Sequence, residues 1–117
     1  MEARAIARHI RMSPRKVRLV VDLIRGKSVG EAYSILQFSP KFAAEPVSKT
    51  LRSAVANATV KAADKGEVLD VDDLYVSEIR VDEGATLHRH RRAAMGRAAP
   101  IRKRTSHITV VVDKRSN

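Results

Sequence analysis

The sequence predicts an α+β fold in which a three-stranded antiparallel sheet packs on three helices and carries a long protruding β-hairpin. Apolar residues recur with helical spacing in three segments between residues 14 and 66. Strand-like patterns occupy residues 3–11, 74–81 and 107–112. Between the last two patterns, the stretch that begins at Gly84 is basic, holds no carboxylate and has a centre of small residues suited to a turn.

The first elements are a strand and a helix. Residues 3–11 alternate small or apolar residues with arginines, which suits a strand with one solvated face. Ser13 and Pro14 then indicate a helix start, because serine caps free amides and proline lacks the N–H that would be unpaired there. We expect this helix to reach Arg25 and to end at Gly26 in a left-handed conformation. The residues spaced to face the core are Val17, Val20, Val21 and Ile24.

Two further helices are predicted. Ser28 and Glu31 have the spacing of a capping box, which starts a short second helix. Ser39 and Pro40 repeat the cap-then-proline signal, but an interior proline costs about 3 kcal/mol. The third helix is therefore expected to begin near residue 45, with Pro46 in its first turn, and to reach residue 66. The apolar stripes of the two helices are Ala32, Ile35 and Leu36, then Val47, Leu51, Ala54, Val55, Ala58 and Ala62.

The C-terminal part of the chain is interpreted as one long hairpin. After an acidic loop at residues 67–73, the arm is expected at about residues 82–104. With about eleven residues on each side it would reach ~35 Å, whereas a compact body of this size has a radius of gyration of only ~13 Å. Val110 and Val112 are expected to face the helices, and Thr109 and Val111 the other side. The 117 residues are expected to form a single domain, 1–117.

The charge distribution predicts a polyanionic partner. The net charge is +10 and the pI is near 10.7. Residues 1–27 carry a net charge of +6, residues 28–83 a net charge of −4, and residues 84–112 a net charge of +7. Two basic segments therefore bracket an acidic middle, which solubility alone does not explain.

Several classes of function are not expected. The chain has no cysteine, no apolar run of the ~20 residues that span a bilayer, and no apolar centre of a signal peptide near its start. His88 and His90 lie among arginines without a carboxylate, and no acidic residue accompanies His107 with Thr105 and Ser106. We expect no enzyme activity, cofactor, metal or membrane contact, and no homo-oligomer. Aromatic residues make up only 3% of the chain, which argues against a stacking platform for single-stranded bases.

The basic segments are the candidate binding residues. Arginine and lysine pair with phosphates and release counterions, which gives affinity without reading sequence. Ordinary solvated faces are the alternative, above all for the first strand, where charge deters edge pairing. The candidates for RNA binding are Arg4, Arg8, Arg11, Ser13, Arg15, Lys16, Arg18, Arg25, Lys27, His88, Arg89, His90, Arg91, Arg92, Arg97, Arg102, Lys103, Arg104, Thr105, Ser106 and His107.

Four motifs together resemble the L-twenty-two family of large-ribosomal-subunit proteins. They are residues 12–18 (Met-Ser-Pro-Arg-Lys-Val-Arg), 22–27 (Asp-Leu-Ile-Arg-Gly-Lys), 53–58 (Ser-Ala-Val-Ala-Asn-Ala) and 103–110 (Lys-Arg-Thr-Ser-His-Ile-Thr-Val). The family's hairpin tip commonly reads Pro-Arg-Ala-x-Gly-Arg-Ala. Residues 94–98 match its later part, whereas Arg92 and Ala93 stand where the proline and arginine would be.

The resemblance implies a structural constituent of the large subunit, in the cytoplasmic ribosome. It implies binding to large-subunit ribosomal RNA, help in its assembly, contacts with neighbouring ribosomal proteins, and a hairpin that lines the exit tunnel of the nascent polypeptide. The tip residues that would face the tunnel are Arg91, Arg92, Ala93, Ala94, Met95 and Gly96. The alternatives are a DNA-architectural protein that grips a groove with the arm, and an assembly factor that binds RNA transiently.

Overall fold

The structure confirms the predicted α+β fold. A computed structural model describes residues 2–92 and 98–115, and side chains only outside residues 89–92 and 98–102. Strands β1, β5 and β2 form an antiparallel sheet in that order, and β3 pairs with β4. The elements are β1 (Glu2–Ile10), α1 (Pro14–Ile24), α2 (Val29–Gln37), α3 (Ala44–Asp64), a 3₁₀ turn (Val71–Asp73), β2 (Leu74–Glu83), β3 (Leu87–Arg92), β4 (Ala98–Lys103) and β5 (Ser106–Lys114).

Helix α1 begins and ends close to the predicted positions. Its predicted core residues are all fully buried. Ser13 occupies the N-cap position, but within the described residues its side chain makes no capping hydrogen bond, so the conformation of Pro14 carries the helix start. Gly26 has the expected positive φ of 77°. Its N–H donates to Val76 O at 3.0 Å, and Val76 N–H donates to Lys27 O at 2.9 Å, which fixes the end of α1 to β2.

Helices α2 and α3 also follow their sequence signals. The Glu31 N–H donates to Ser28 Oγ at 3.3 Å, so the predicted cap of α2 is present. Helix α3 begins at Ala44, one residue before the expected start, and Pro46 lies in its first turn. Five of the six residues of its predicted stripe are buried, while Val55 is half-buried at the margin of the core. Proline positions, the Ser28 cap and the apolar periodicity therefore indicated where the helices lie.

Alanines permit a close packing of α3 on β1. The buried residues are Ala3 and Ala5 on the strand and Ala54 and Ala58 on the helix. Because these side chains are small, polar groups of α3 reach the outer backbone of β1. Asn57 Nδ2 donates to Arg4 O at 2.9 Å, and Lys61 Nζ donates to Glu2 O at 2.6 Å. The edge of the sheet at β1 is thereby covered, which protects it from pairing with another chain.

The region that the sequence predicts as one long hairpin is interrupted on both of its sides. Strand β2 ends at Glu83 and β3 begins at Leu87, while β4 and β5 are separated by Arg104 and Thr105. The Gly84 N–H donates to Thr105 O at 2.9 Å, and Thr105 Oγ1 donates to Ala85 O at 2.6 Å. A side-chain hydroxyl therefore replaces one ladder bond at this junction. The molecule is 66 Å long with a radius of gyration of 17.6 Å, well above the ~13 Å of a compact chain.

The central strand β5 is buried on both faces. Val110 and Val112 lie in the core beneath the helices, as predicted. Thr109 and Val111, on the other face, are also buried. Arg4 of β1 and Glu78 of β2 both lie opposite Val111 in the register of the sheet. Arginine can cover apolar surface with its methylene stem, and the register places Arg4 beside Val111 on this strand pair.

Candidate nucleic-acid interface

The fold brings the two basic segments of the sequence together at one cleft. Arg11, Arg15 and Lys16 come from the end of β1 and the first turn of α1, and Lys103 and Arg104 come from the base of the hairpin arm. Lys41, in the connection between α2 and α3, completes the set. Five cations from opposite ends of the chain and Lys41 from its middle therefore line a single surface, which we call the basic cleft.

Hydrogen bonds at the start of β5 hold the two basic segments close together. Ser106 is fully buried and its Oγ donates to Met12 O at 2.6 Å, which ties the strand to the connection before α1. The His9 N–H donates to His107 Nδ1 at 3.1 Å. Thr105 is buried and bonded to Ala85 O. Thr105, Ser106 and His107, which the sequence predicts to bind RNA, therefore form hydrogen bonds inside the protein. Their contact with RNA stays a prediction.

The basic cleft carries little negative charge to neutralise it. Glu45 is the only carboxylate among the described residues that line it. This carboxylate forms an ion pair with Lys49, whose Nζ lies 3.3 Å from Glu45 Oε1. Among residues 2–92 and 98–115, none of the six cations forms an ion pair. An uncompensated group of positive charges in a concave surface concentrates the field and attracts a polyanion.

Other cations of α1 have partners inside the protein. Arg18 Nη2 donates to Val81 O at 2.9 Å, and Arg25 Nη2 donates to Ile79 O at 2.8 Å. These carbonyls lie on β2, which is an edge of the sheet, so the two arginines cover this edge as α3 covers the other. Phosphate contact by Arg18 and Arg25 stays a prediction, and the structure adds a role inside the protein for both side chains.

Arg25 and Lys27 also form ion pairs near the end of α1. Arg25 Nη1 lies 2.7 Å from Asp22 Oδ1, and Lys27 Nζ lies 3.9 Å from Glu31 Oε1. All four side chains are about half exposed or more, so each pair contributes at most ~1 kcal/mol to stability. Phosphate contact by Lys27 stays a prediction, as it does for Ser13, which lines the basic cleft.

Among the predicted residues whose side chains the structure describes, Arg4, Arg8 and His88 do not line the basic cleft. Arg4 and Arg8 are exposed on β1. His88 is exposed on β3, where it lies opposite Arg102 of β4. The backbones of Arg89, His90, Arg91, Arg92 and Arg102 belong to β3 and β4, but their side chains lie outside the described part of the structure. The predicted tip residues Ala93, Ala94, Met95, Gly96 and Arg97 also lie outside the described residues.

Sequence reasoning missed Lys41 and Phe42, which both line the basic cleft. They follow Ser39 and Pro40 within the segment whose net charge is −4, so the segment average concealed them. The available signal was a lysine beside one of only two phenylalanines in the chain, at a turn after proline. Phe42 is 90% exposed.

A second groove lies between α2 and α3 and is lined in part by Tyr33, Lys49 and Arg52. Burial raises the pKa of the Tyr33 phenol above its ordinary value of 10.0, and the positive charge of Arg52 opposes the rise. Within the described residues, histidine, cysteine and carboxylate side chains form no group of three or more suited to a metal ion. The helices described are not long and apolar enough to cross a membrane.

The comparisons with known proteins agree with the resemblance seen in the sequence. A sequence model described as ribosomal protein L22p/L17e matches residues 5–113. The chain belongs to this ribosomal protein family. It is 63% identical over 112 residues to large ribosomal subunit protein uL22 of Bifidobacterium longum (strain DJO10A), covering 96% of this chain and 94% of the relative.

Two other relatives in the L22p/L17e family show similar coverage. The uL22 protein of Desulfitobacterium hafniense (strain Y51) is 63% identical over 111 residues, covering 95% of this chain and 93% of the relative. That of Halothermothrix orenii (strain H 168) is 54% identical over 115 residues, covering 98% and 97%. Membership makes the chain a ribosomal protein of the large subunit, part of a ribonucleoprotein that acts in translation, and its predicted place in the cytoplasmic ribosome follows from the family.

Proposed function

We propose that this protein is a structural component that binds large-subunit rRNA through the basic cleft and along the hairpin arm at about residues 82–104. The observation that carries this proposal is the convergence on one concave surface of five cations from the two basic segments together with Lys41, none of which forms an ion pair within the described residues. A single domain, 1–117, would then be held to RNA both at its body and along its arm.

The chemistry of the basic cleft suits a folded RNA rather than one short anion. Cations that neutralise successive phosphates release counterions, and the resulting affinity grows with the number of contacts. Three of the six are arginines, whose planar fork can bridge two phosphates or stack on a base. Contacts of this kind position a protein on RNA without reading its sequence.

The arm extends the proposed RNA contact beyond the body. Residues 84–112 carry seven basic side chains and no carboxylate, so this part of the arm has no acidic residue of its own to balance its charge. In the proposed arrangement it passes between segments of rRNA and helps to organise them during assembly. Its tip, residues 91–96, lines the exit tunnel and meets the nascent polypeptide, while neighbouring ribosomal proteins contact the body.

Sedimentation of cell extract at low and high salt tests the proposal. A protein held by many buried contacts remains with the large subunit at high salt, whereas one held by screened charge alone is released. We expect retention. Release at high salt would favour a transient assembly factor, and migration with DNA at low salt would favour an architectural DNA-binding protein.

A further inference from the structure

The two phenylalanines of the chain are both at the surface, although phenylalanine is among the residue types most often buried. Phe38 is 81% exposed and Phe42 is 90% exposed, one on each side of the turn that joins α2 to α3. Phe42 lines the basic cleft, whereas Phe38 lines neither this cleft nor the α2–α3 groove. Of the two phenylalanines, Phe42 is therefore the one that lies beside the group of cations.

The basic cleft contains an apolar surface as well as its cations. Met12, Leu19 and Leu87 line it together with Phe42, and Leu19 is 55% exposed. An inorganic phosphate would use the cations and leave these side chains in water. An apolar side chain of a partner protein would cover the apolar surface and leave six cations unpaired. A ligand that satisfies both needs a flat apolar face joined to negative charge.

We propose that the basic cleft takes one unpaired nucleotide of RNA, with its base stacked on Phe42 and its flanking phosphates held by the surrounding cations. This inference rests on the proposed function and specifies the ligand of that site. Every base has a π-face that stacks on an aromatic ring, and unpaired RNA bases are commonly recognised in this way. The cleft volume of about 1100 Å³ slightly exceeds the ~300–1,000 Å³ typical of small-molecule sites, which leaves room for a nucleotide with its flanking phosphates.

The position of the cations supports an unpaired nucleotide over a continuous duplex. They come from three separate stretches around the apolar surface, the β1–α1 connection, the α2–α3 turn and the hairpin base. An extruded nucleotide has one base and two flanking phosphates, which matches a cleft lined both by one exposed phenylalanine and by cations from three stretches. A duplex would present phosphates alone and leave Phe42 exposed. The low aromatic content of the chain does not conflict with this proposal, because one base requires only one ring.

Fluorescence of a tryptophan at residue 42 tests the proposal directly. The chain has no tryptophan, so the Phe42→Trp variant of the full chain reports only on this position. Three RNA hairpins serve as probes: one with a single bulged adenosine, one with an abasic residue at the bulge, and one fully paired. We expect the bulged adenosine to quench the indole, and the other two to bind through phosphates with little quenching. The matched control is Phe38→Trp, which should be quenched by none of the three.

Affinity measurements on truncated variants provide a second readout. Phe42→Ala is expected to weaken binding to the bulged hairpin by at least about fivefold. The same change should alter binding to the abasic and fully paired hairpins by less than about twofold. Phe38→Ala should leave all three affinities unchanged. Because both phenylalanines are exposed, neither substitution is expected to unfold the protein.

The outcomes separate this inference from the proposed function. If the three hairpins bind equally and Phe42→Ala changes none of the affinities, the nucleotide site is wrong but RNA binding through charge stands. If the unaltered protein binds no RNA in these assays or in ribosomal fractions, both fail. Quenching of the Phe42→Trp variant by a polyglutamate peptide but not by RNA would assign the cleft to an acidic protein partner and would overturn the inference.

Discussion

The backbone N–H of His9 donates a hydrogen bond to Nδ1 of His107 at 3.1 Å, and the two imidazole rings meet edge to face at 5.1 Å. His9 has a positive φ of 58°, and the register of β1 with β5 shifts between Ala7 and Ile10. The contact therefore holds the irregular end of β1 against the first residues of β5. It helps to place Arg11 at the basic cleft, close to the base of the arm.

Replacement of His107 by alanine is expected to lower the free energy of unfolding by about 1 kcal/mol, because the His9 N–H loses its acceptor and the rings lose their contact. Urea unfolding followed by circular dichroism measures the loss. The His9→Gly variant keeps the N–H and relieves the positive φ, so it should lose less stability. Equal losses in the two variants would show that the hydrogen bond contributes nothing.

Replacement of Gly84 by alanine is expected to destabilise the protein by about 1–3 kcal/mol, as overpacking does. The added Cβ would lie 2.5 Å from Thr105 Oγ1 and 3.1 Å from His107 Nε2, and the Thr105 side chain is buried and hydrogen-bonded. Thermal unfolding of the variant measures the effect. The control is Gly30→Ala in α2, where nothing lies within 4 Å of the added Cβ.

The Gly30→Ala control should be neutral or slightly stabilising, because alanine favours a helix. Combining Gly84→Ala with Thr105→Ala removes the clashing hydroxyl, so the double variant should lose less than the sum of the two single losses. Additive losses would exclude the close contact as the cause.

Substitutions of Arg18 and Arg15 are expected to affect different properties, stability for Arg18 and RNA binding for Arg15. Arg18→Gln removes the bond to Val81 O and should lower the free energy of unfolding by about 1 kcal/mol, since the site is only partly buried. Arg15→Gln should change stability by less than about 0.5 kcal/mol while it weakens binding to large-subunit rRNA. Urea unfolding and filter binding on both variants test the assignment, and a reversed pattern would contradict it.

Two alanines of α3 test the close packing of this helix on the sheet. Ala58 is buried and Ala56, on the same helix, is exposed. Ala58→Leu should destabilise the protein by about 1–3 kcal/mol, because the backbones cannot separate without breaking neighbouring contacts. Ala56→Leu should stay within about 0.5 kcal/mol of the original protein. Thermal unfolding distinguishes them, and similar melting temperatures for the two variants would contradict tight packing there.

The helices and the core could be predicted from the sequence because their signals are local. Pro14, Gly26 and Ser28 mark ends of helices through conformational limits and capping groups that act within a few residues. Val17 of α1 and Leu51 of α3 each belong to a stripe of apolar residues at helical spacing, and both are buried as predicted. The α+β fold followed from these segments and from the alternating strands.

The details of the site could not be predicted because they depend on contacts between distant parts of the chain. Arg18 and Arg25 donate to carbonyls 63 and 54 residues away, and no local pattern shows that these carbonyls lie on an uncovered edge. Ser106 reaches Met12 across 94 residues. Phe42 joins the basic cleft through a turn in a segment of net negative charge. The sequence predicted the cations as one group of RNA-binding candidates, but not that Arg18 and Arg25 donate to backbone carbonyls of β2.

The most direct test of the account is the salt dependence of binding to large-subunit rRNA. The cleft variant carries both Lys16→Gln and Lys103→Gln. The control variant carries both Lys65→Gln and Lys114→Gln, which remove the same charge from exposed sites outside the cleft. If the cleft lysines contact phosphates, the slope of log K against log salt should become shallower by about 1.4–1.8 in the first variant and stay unchanged in the second. An equal change in both would show that net charge, rather than the basic cleft, governs binding.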